Sequence, residues 1–122
     1  MRDNSRTLKV TPAGASFLRF IAVINSGDID IMRNYATKNV ADPLLYKVGA
    51  EAIAQNLYEI HLQTGGMRVH KVFLSEDAYV MIVMEAIGDG VLYLDKLKVE
   101  EEKPYRILEY AHQQFDPAHA IV

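Results

Sequence analysis

Apolar residues recur at helical spacing through the first half of the chain and at alternate positions through the second. Phe17, Phe20, Ile21 and Ile24 stand at i, i+3, i+4 and i+7, which predicts one buried face of a helix. Thr11-Pro12 marks its start, because threonine caps free N–H groups and proline at the first helical position gives up nothing. Asn25-Ser26-Gly27 marks its end. Asp28 then caps a second helix with Ile29, Met32 and Ala36 on its inner stripe. Asp42-Pro43 interrupts helical continuity, since the residue before a proline is pushed out of the α region. Leu44-Leu45-Tyr46 reads as a small strand or turn. Gly49 precedes a third helix with Glu51 near its positive end and Ile53, Leu57 and Ile60 facing inward; Gly65-Gly66 ends it.

From there the period falls to two. Residues 67–74, 78–87, 91–100 and 105–115 read as strands, and their short connections imply antiparallel neighbours. The expected architecture is a single α+β domain over residues 1–122, with an N-terminal arm at 1–10 and a tail at 116–122. Three helices would lie on one face of a curved, mainly antiparallel sheet of four to six strands. Tyr79-Val80-Met81-Ile82-Val83-Met84 is apolar on both faces, so the outer face needs a cover. A second copy of the same sheet is the simplest one, and a homodimer is expected.

Composition narrows the function classes. A chain of 122 residues is long enough for one sizeable core. Its net charge of −3, with basic residues scattered, gives no electrostatic case for nucleic acid or anionic lipid. The absence of cysteine removes disulfides, thiolate metal sites and cysteine nucleophiles. The polar start Met1-Arg2-Asp3-Asn4-Ser5-Arg6 leads into no apolar stretch of the signal-peptide kind, and no segment has the length to span a bilayer. The cytoplasm is the default compartment.

The candidate chemistry begins with strand parity. Val91, Tyr93, Asp95, Leu97 and Val99 share one face of residues 91–100, and the lysines Lys96 and Lys98 lie on the other. Asp95 therefore sits in an apolar row, where an acid is either paired or held neutral by desolvation. Arg68 and Arg106 are candidate partners. A neutral carboxylic acid in a dry pocket is a hydrogen-bond donor suited to a developing oxyanion. The four histidines are too dispersed for a metal motif, with His112 an auxiliary acid or base at most and His119 in the tail. No metal and no cofactor is expected. Glu100-Glu101-Glu102 reads as a solvated hairpin tip, and Gly88-Asp89-Gly90 as a tight turn without the following helix of a phosphate loop.

The order of helices and strands, with Phe20-Ile21-Ala22-Val23-Ile24-Asn25-Ser26-Gly27-Asp28-Ile29-Asp30 across the first helix and its turn, resembles the NTF2-like superfamily. That cystatin-like cone hosts ketosteroid isomerase, the SnoaL-type polyketide cyclases, limonene-epoxide hydrolase and scytalone dehydratase. By motif the chain is most similar to ketosteroid isomerase, a system in which carboxyl groups are tuned by their surroundings. The resemblance implies a general base at Asp42, in the Asp-Pro pair after the second helix, and an oxyanion-stabilising acid at Asp95. It also implies an apolar substrate pocket from Phe17, Phe20, Ile24, Leu57, Tyr93 and Leu97, filled by a hydrophobic, even polycyclic, carbonyl compound. Where the family has a tyrosine, this chain has Phe20, which donates no hydrogen bond. Losing one such donor costs roughly 10²–10³ in rate. Tyr35, Tyr46, Tyr58 and Tyr93 are candidates to replace it.

Two further readings stand beside the isomerase, cyclase or dehydratase. The cone can serve as a non-catalytic ligand-binding or dimeric assembly module, which Phe20 favours. It can also resemble limonene-epoxide hydrolase through Glu85 and Glu109, although no arginine is expected beside Glu85. Asp42 discriminates: if it is buried, within reach of the cavity of Asp95 and raised in pKa, the enzyme reading gains; if it is exposed on a turn, the module reading wins.

Overall fold

The structure, a computed structural model, describes residue 8 and residues 11–116. The arm, the tail and His119 lie outside the described residues, except for Leu8 and Asp116.

Helix α1 (Pro12–Ser26) begins where the Thr11 side chain accepts from the Gly14 N–H at 2.9 Å. It stops at Gly27, whose left-handed backbone (φ 65°) returns an N–H to the Ile24 carbonyl. Asp28 caps α2 (Ile29–Asn39) by accepting from the N–H groups of Asp30 and Ile31. The chain leaves α2 extended at Val40, which bridges in parallel to Ile107, and the Ala41 N–H donates to the Ile107 carbonyl at 2.8 Å.

The segment expected as a strand or turn is instead a seven-residue helix, α3 (Asp42–Val48). Pro43 is compatible with it because first-turn N–H groups have no intrahelical partner. Among the described residues four helices therefore precede the sheet, not three, and α4 (Ala50–Thr64) is the one that the sequence marks as third.

The strands β1 (Met67–Ser75), β2 (Tyr79–Ala86), β3 (Leu92–Val99) and β4 (Ile107–Gln114) form one antiparallel sheet in sequence order. Val80, Ile82, Met84 and Ala86 of β2 and Tyr93, Asp95, Leu97 and Val99 of β3 are buried. The register sets Val80 opposite Leu97, Ile82 opposite Asp95 and Met84 opposite Tyr93, so these residues share the face under the helices. Phe17, Phe20, Ile24, Met32 and Leu57 meet them from α1, α2 and α4. Asn25 locks helix to sheet: its side-chain amide donates to the Met67 carbonyl and accepts from the Met67 N–H, both at 2.8 Å.

Candidate functional site

An apolar cavity of about 160 Å³ lies among α3, α4 and β4. Ile53, Leu57 and Ile60 repeat at i, i+4 and i+7 on α4 and form one wall. Leu44 and Val48 of α3 close it on another side, with Phe20, Val40 and Ile107 behind. Its polar members are Asn56 and Tyr110. Asn56, Ile60 and Tyr110 also line an adjoining shallow groove, together with Glu59, Gln63 and His112. Cavity and groove thus make one cleft between α4 and β4, apolar inside and polar at the mouth.

Asp95 lies beneath that mouth and is 0% exposed. The Tyr110 hydroxyl donates to its Oδ2 at 2.7 Å, and His112 Nδ1 lies 2.6 Å from its Oδ1. The register explains the histidine contact, because Asp95 and His112 are directly opposite across β3 and β4. With the carboxyl ionised, the ring donates from Nδ1 and leaves a lone pair on Nε2. Nε2 is buried and meets no hydrogen-bond partner among the described residues. Tyr93 stacks on the imidazole, with centroids 4.4 Å apart and planes within 14°, and fixes its tilt. Burial, then the Asp95 charge and hydrogen bond, hold the Tyr110 phenol well above its usual range, so it stays a donor.

The residues singled out by sequence divide. Phe20 and Leu57 line the cavity; Phe17, Ile24 and Leu97 are buried in the core behind it, and Tyr93 reaches the site through His112. Asp42 does not join Asp95. It begins α3 with its side chain 59% exposed, lies 3.5 Å from Arg106 and is not among the cavity-lining residues. Asp95 pairs with neither candidate arginine. Arg68 binds Glu85 across β1 and β2 at 3.3 Å, and Arg106 binds Glu100 and Asp42. Glu85 therefore does have an arginine beside it, supplied by the neighbouring strand. Both Glu85 and Glu109 lie on the sheet face away from the cavity, in register with Leu92 and Lys98.

Sequence reasoning passed over Tyr110 as the replacement hydroxyl. The Phe20 ring sits edge-on to the Tyr110 ring, with centroids 4.5 Å apart, while the Tyr110 hydroxyl is turned to Asp95. The sequence marks His112 only as an auxiliary acid or base. The available signal was Tyr110-Ala111-His112, two polar rings on one face of the last strand. Among the described residues no group of three histidines and carboxylates is arranged to hold a metal ion, and no helix is long and apolar enough to cross a membrane. No protein-family model, no curated protein and no solved structure matches the chain.

Proposed function

We propose that this chain is a small-molecule isomerase, cyclase or dehydratase of the ketosteroid isomerase/SnoaL type, an NTF2-like domain that moves a proton next to a carbonyl. One observation carries this reading: buried Asp95 holds both Tyr110 and His112 where the apolar cavity opens. A carboxyl that orients an imidazole and leaves its second nitrogen free is a general-base arrangement. His112 Nε2 has almost no exposed surface and must be uncovered at the groove; it then takes the proton from the carbon beside the carbonyl, and the C–H electron pair becomes the double bond of the enolate. The Asn56 amide, exposed on the α4 wall, is the group available to donate to the enolate oxygen. With a β,γ-unsaturated substrate the enolate is a dienolate, and returning the proton to its γ-carbon completes an isomerisation that consumes nothing and involves no cofactor. Asp95 is a positioning residue in this scheme, and Tyr110 keeps its second oxygen in place. The resemblance gives the base to Asp42; its exposure and its ion pair with Arg106 favour His112 instead.

The same exposure of Asp42, with Phe20 buried in the core, favours a second reading: a ligand-binding or dimeric assembly module without turnover. In either case the hydrophobic ligand occupies the cleft and a second copy covers the outer sheet face.

Conversion of a β,γ-unsaturated cyclic ketone to its conjugated isomer, followed by absorbance, tests the enzyme. His112→Gln is expected to lose about 10²–10⁴ in rate, and Asp42→Asn to stay near wild type. Collapse in Asp42→Asn with His112→Gln active returns the base to Asp42. Absence of turnover in the wild type leaves the module reading.

A further inference from the structure

We infer that the cleft takes a neutral molecule of one ring, or a branched chain of equal bulk, carrying a single hydrogen-bonding oxygen, and rejects polycyclic and anionic ligands. This rests on the reading of the cleft as the ligand site, and it replaces the polycyclic substrate that the resemblance implies.

Size is the first argument. The apolar cavity measures about 160 Å³; the adjoining groove, about 270 Å³, is shallow and lined by Asn56, Glu59, Gln63 and His112, so it receives the ligand's oxygen but does not bury further hydrocarbon rings. An apolar void of about 150 Å³ is enough for a benzene-sized guest, whereas a drug-sized ligand takes roughly 300 Å³ or more. The back wall does not retreat cheaply. Phe20, Leu57 and Ile107 are each 2% exposed and belong to the main core, and the Phe20 ring is braced against Tyr110. Moving any of them to admit further rings means repacking the contact of α1 and α4 with the sheet.

Charge is the second. Among the described residues, no lysine or arginine lines the cavity or the groove. Arg106, next to the lining residue Ile107, is committed to Glu100, with both guanidinium and backbone N–H bonded to that carboxylate, and also faces Asp42. Among the described residues, the carboxylate of the groove is Glu59, which opposes an anion at the mouth. A carboxylate or phosphate would be desolvated there without a counter-charge. Polarity is the third argument. Asn56, Tyr110 and His112 gather at one end of the cleft, so a ligand is oriented by one oxygen at that end with its hydrocarbon inside.

The test is a set of NMR titrations of the full chain with 2-cyclohexenone, cyclohexanecarboxylate and a four-ring 3-ketosteroid. Signals are read at the methyl groups of Leu57 and Ile60 and at the ring nitrogens of His112. Cyclohexenone is expected to give saturable shifts at all three residues, and the other two to bind at least tenfold more weakly. In Leu44→Ala, which enlarges the cavity at the α3 side, a two-ring ketone should gain at least tenfold over wild type. Equal or tighter binding of the steroid overturns the size limit, and equal binding of the carboxylate overturns neutrality. No saturable shift with cyclohexenone, or no gain in Leu44→Ala, overturns the inference as a whole. Binding and catalysis separate cleanly: cyclohexenone that binds in a protein without isomerase activity leaves the ligand class standing and removes the enzyme. Steroid turnover removes the ligand class and leaves proton transfer standing.

Discussion

Asp95 is tolerated in an apolar row because each of its oxygens has a partner, Tyr110 on one and His112 on the other. Removing the carboxyl orphans both. Asp95→Ala is therefore expected to cost about 1–3 kcal/mol for each group left unsatisfied, read as a lower urea midpoint at pH 7, with Asp95→Asn losing less. An alanine variant as stable as wild type would mean that the contacts contribute nothing. A second residue-level expectation concerns alkali. Burial pushes the Tyr35 phenol up to about 12, and Tyr110 is also raised. Above the ordinary phenol value of about 10, the unfolded chain releases protons that the folded chain keeps, so stability falls as pH rises from there. Thermal melts from pH 8 to 12 should show that fall, and Tyr35→Phe should flatten it. Parity alone put Asp95 in its apolar row, because β3 runs regularly against β2. Its partners were hidden by an irregularity. The register shifts between Lys98 and Val99 against β4, so Ile107 and Tyr110 both reach the core although three positions apart. Counting alternate residues from Ile107 would turn Tyr110 and His112 outward.

At the scale of elements, the long helices were legible because they carry their own punctuation: Thr11 and Asp28 as caps, Gly27 and Gly65 as left-handed ends. The short α3 was not. It has no buried residue, no side-chain cap and only seven positions, too few for an apolar stripe to declare itself. Its formation follows from placement, since the Val40–Ile107 bridge holds the entering chain against β4. Nor did the spacing reveal how helix and sheet are joined, because the Asn25–Met67 pair spans 42 positions. That pair acts as a substitute rung, replacing the backbone partners that Met67 would otherwise need. Asn25→Ala leaves the N–H and C=O of nearly fully buried Met67 without these bonds. A loss of about 1–3 kcal/mol per unsatisfied group is expected in chemical denaturation, with amide exchange accelerated first at the start of β1. Uniform acceleration throughout the sheet would show that Asn25 supports the fold as a whole and not this junction.

For the whole molecule, the decisive question is what lies on the outer face of the sheet. Val83 faces outward, in register with Lys71 and Leu94, and at 1% exposure is already covered within one chain; the apolar surface left on the edge strand is Phe73, in ring contact with Phe115, and Leu74. The face is thus apolar in its middle, and its charges are mixed: Arg68 with Glu85 on one flank, Lys96 and Lys98 beside Glu109 on the other. Mixed signs suit a two-fold contact, in which each lysine of one copy finds a carboxylate of the other. Four strands of about eight residues present roughly 500 Å² in projection, comparable in scale with the roughly 800 Å² that each partner buries in a standard interface. Sedimentation is expected to give twice the 13.8 kDa chain mass at micromolar concentration. Leu94→Lys should return it to one chain while preserving the helical circular dichroism, because Leu94 belongs to the outer face and not to the core cluster. A wild type that sediments as one chain at every concentration would reject the dimer. The cleft offers an independent control, since it opens between α4 and β4 on the opposite side of the sheet. Ligand shifts at Leu57 should therefore survive Leu94→Lys, and their loss would mean that the second copy helps to build the site.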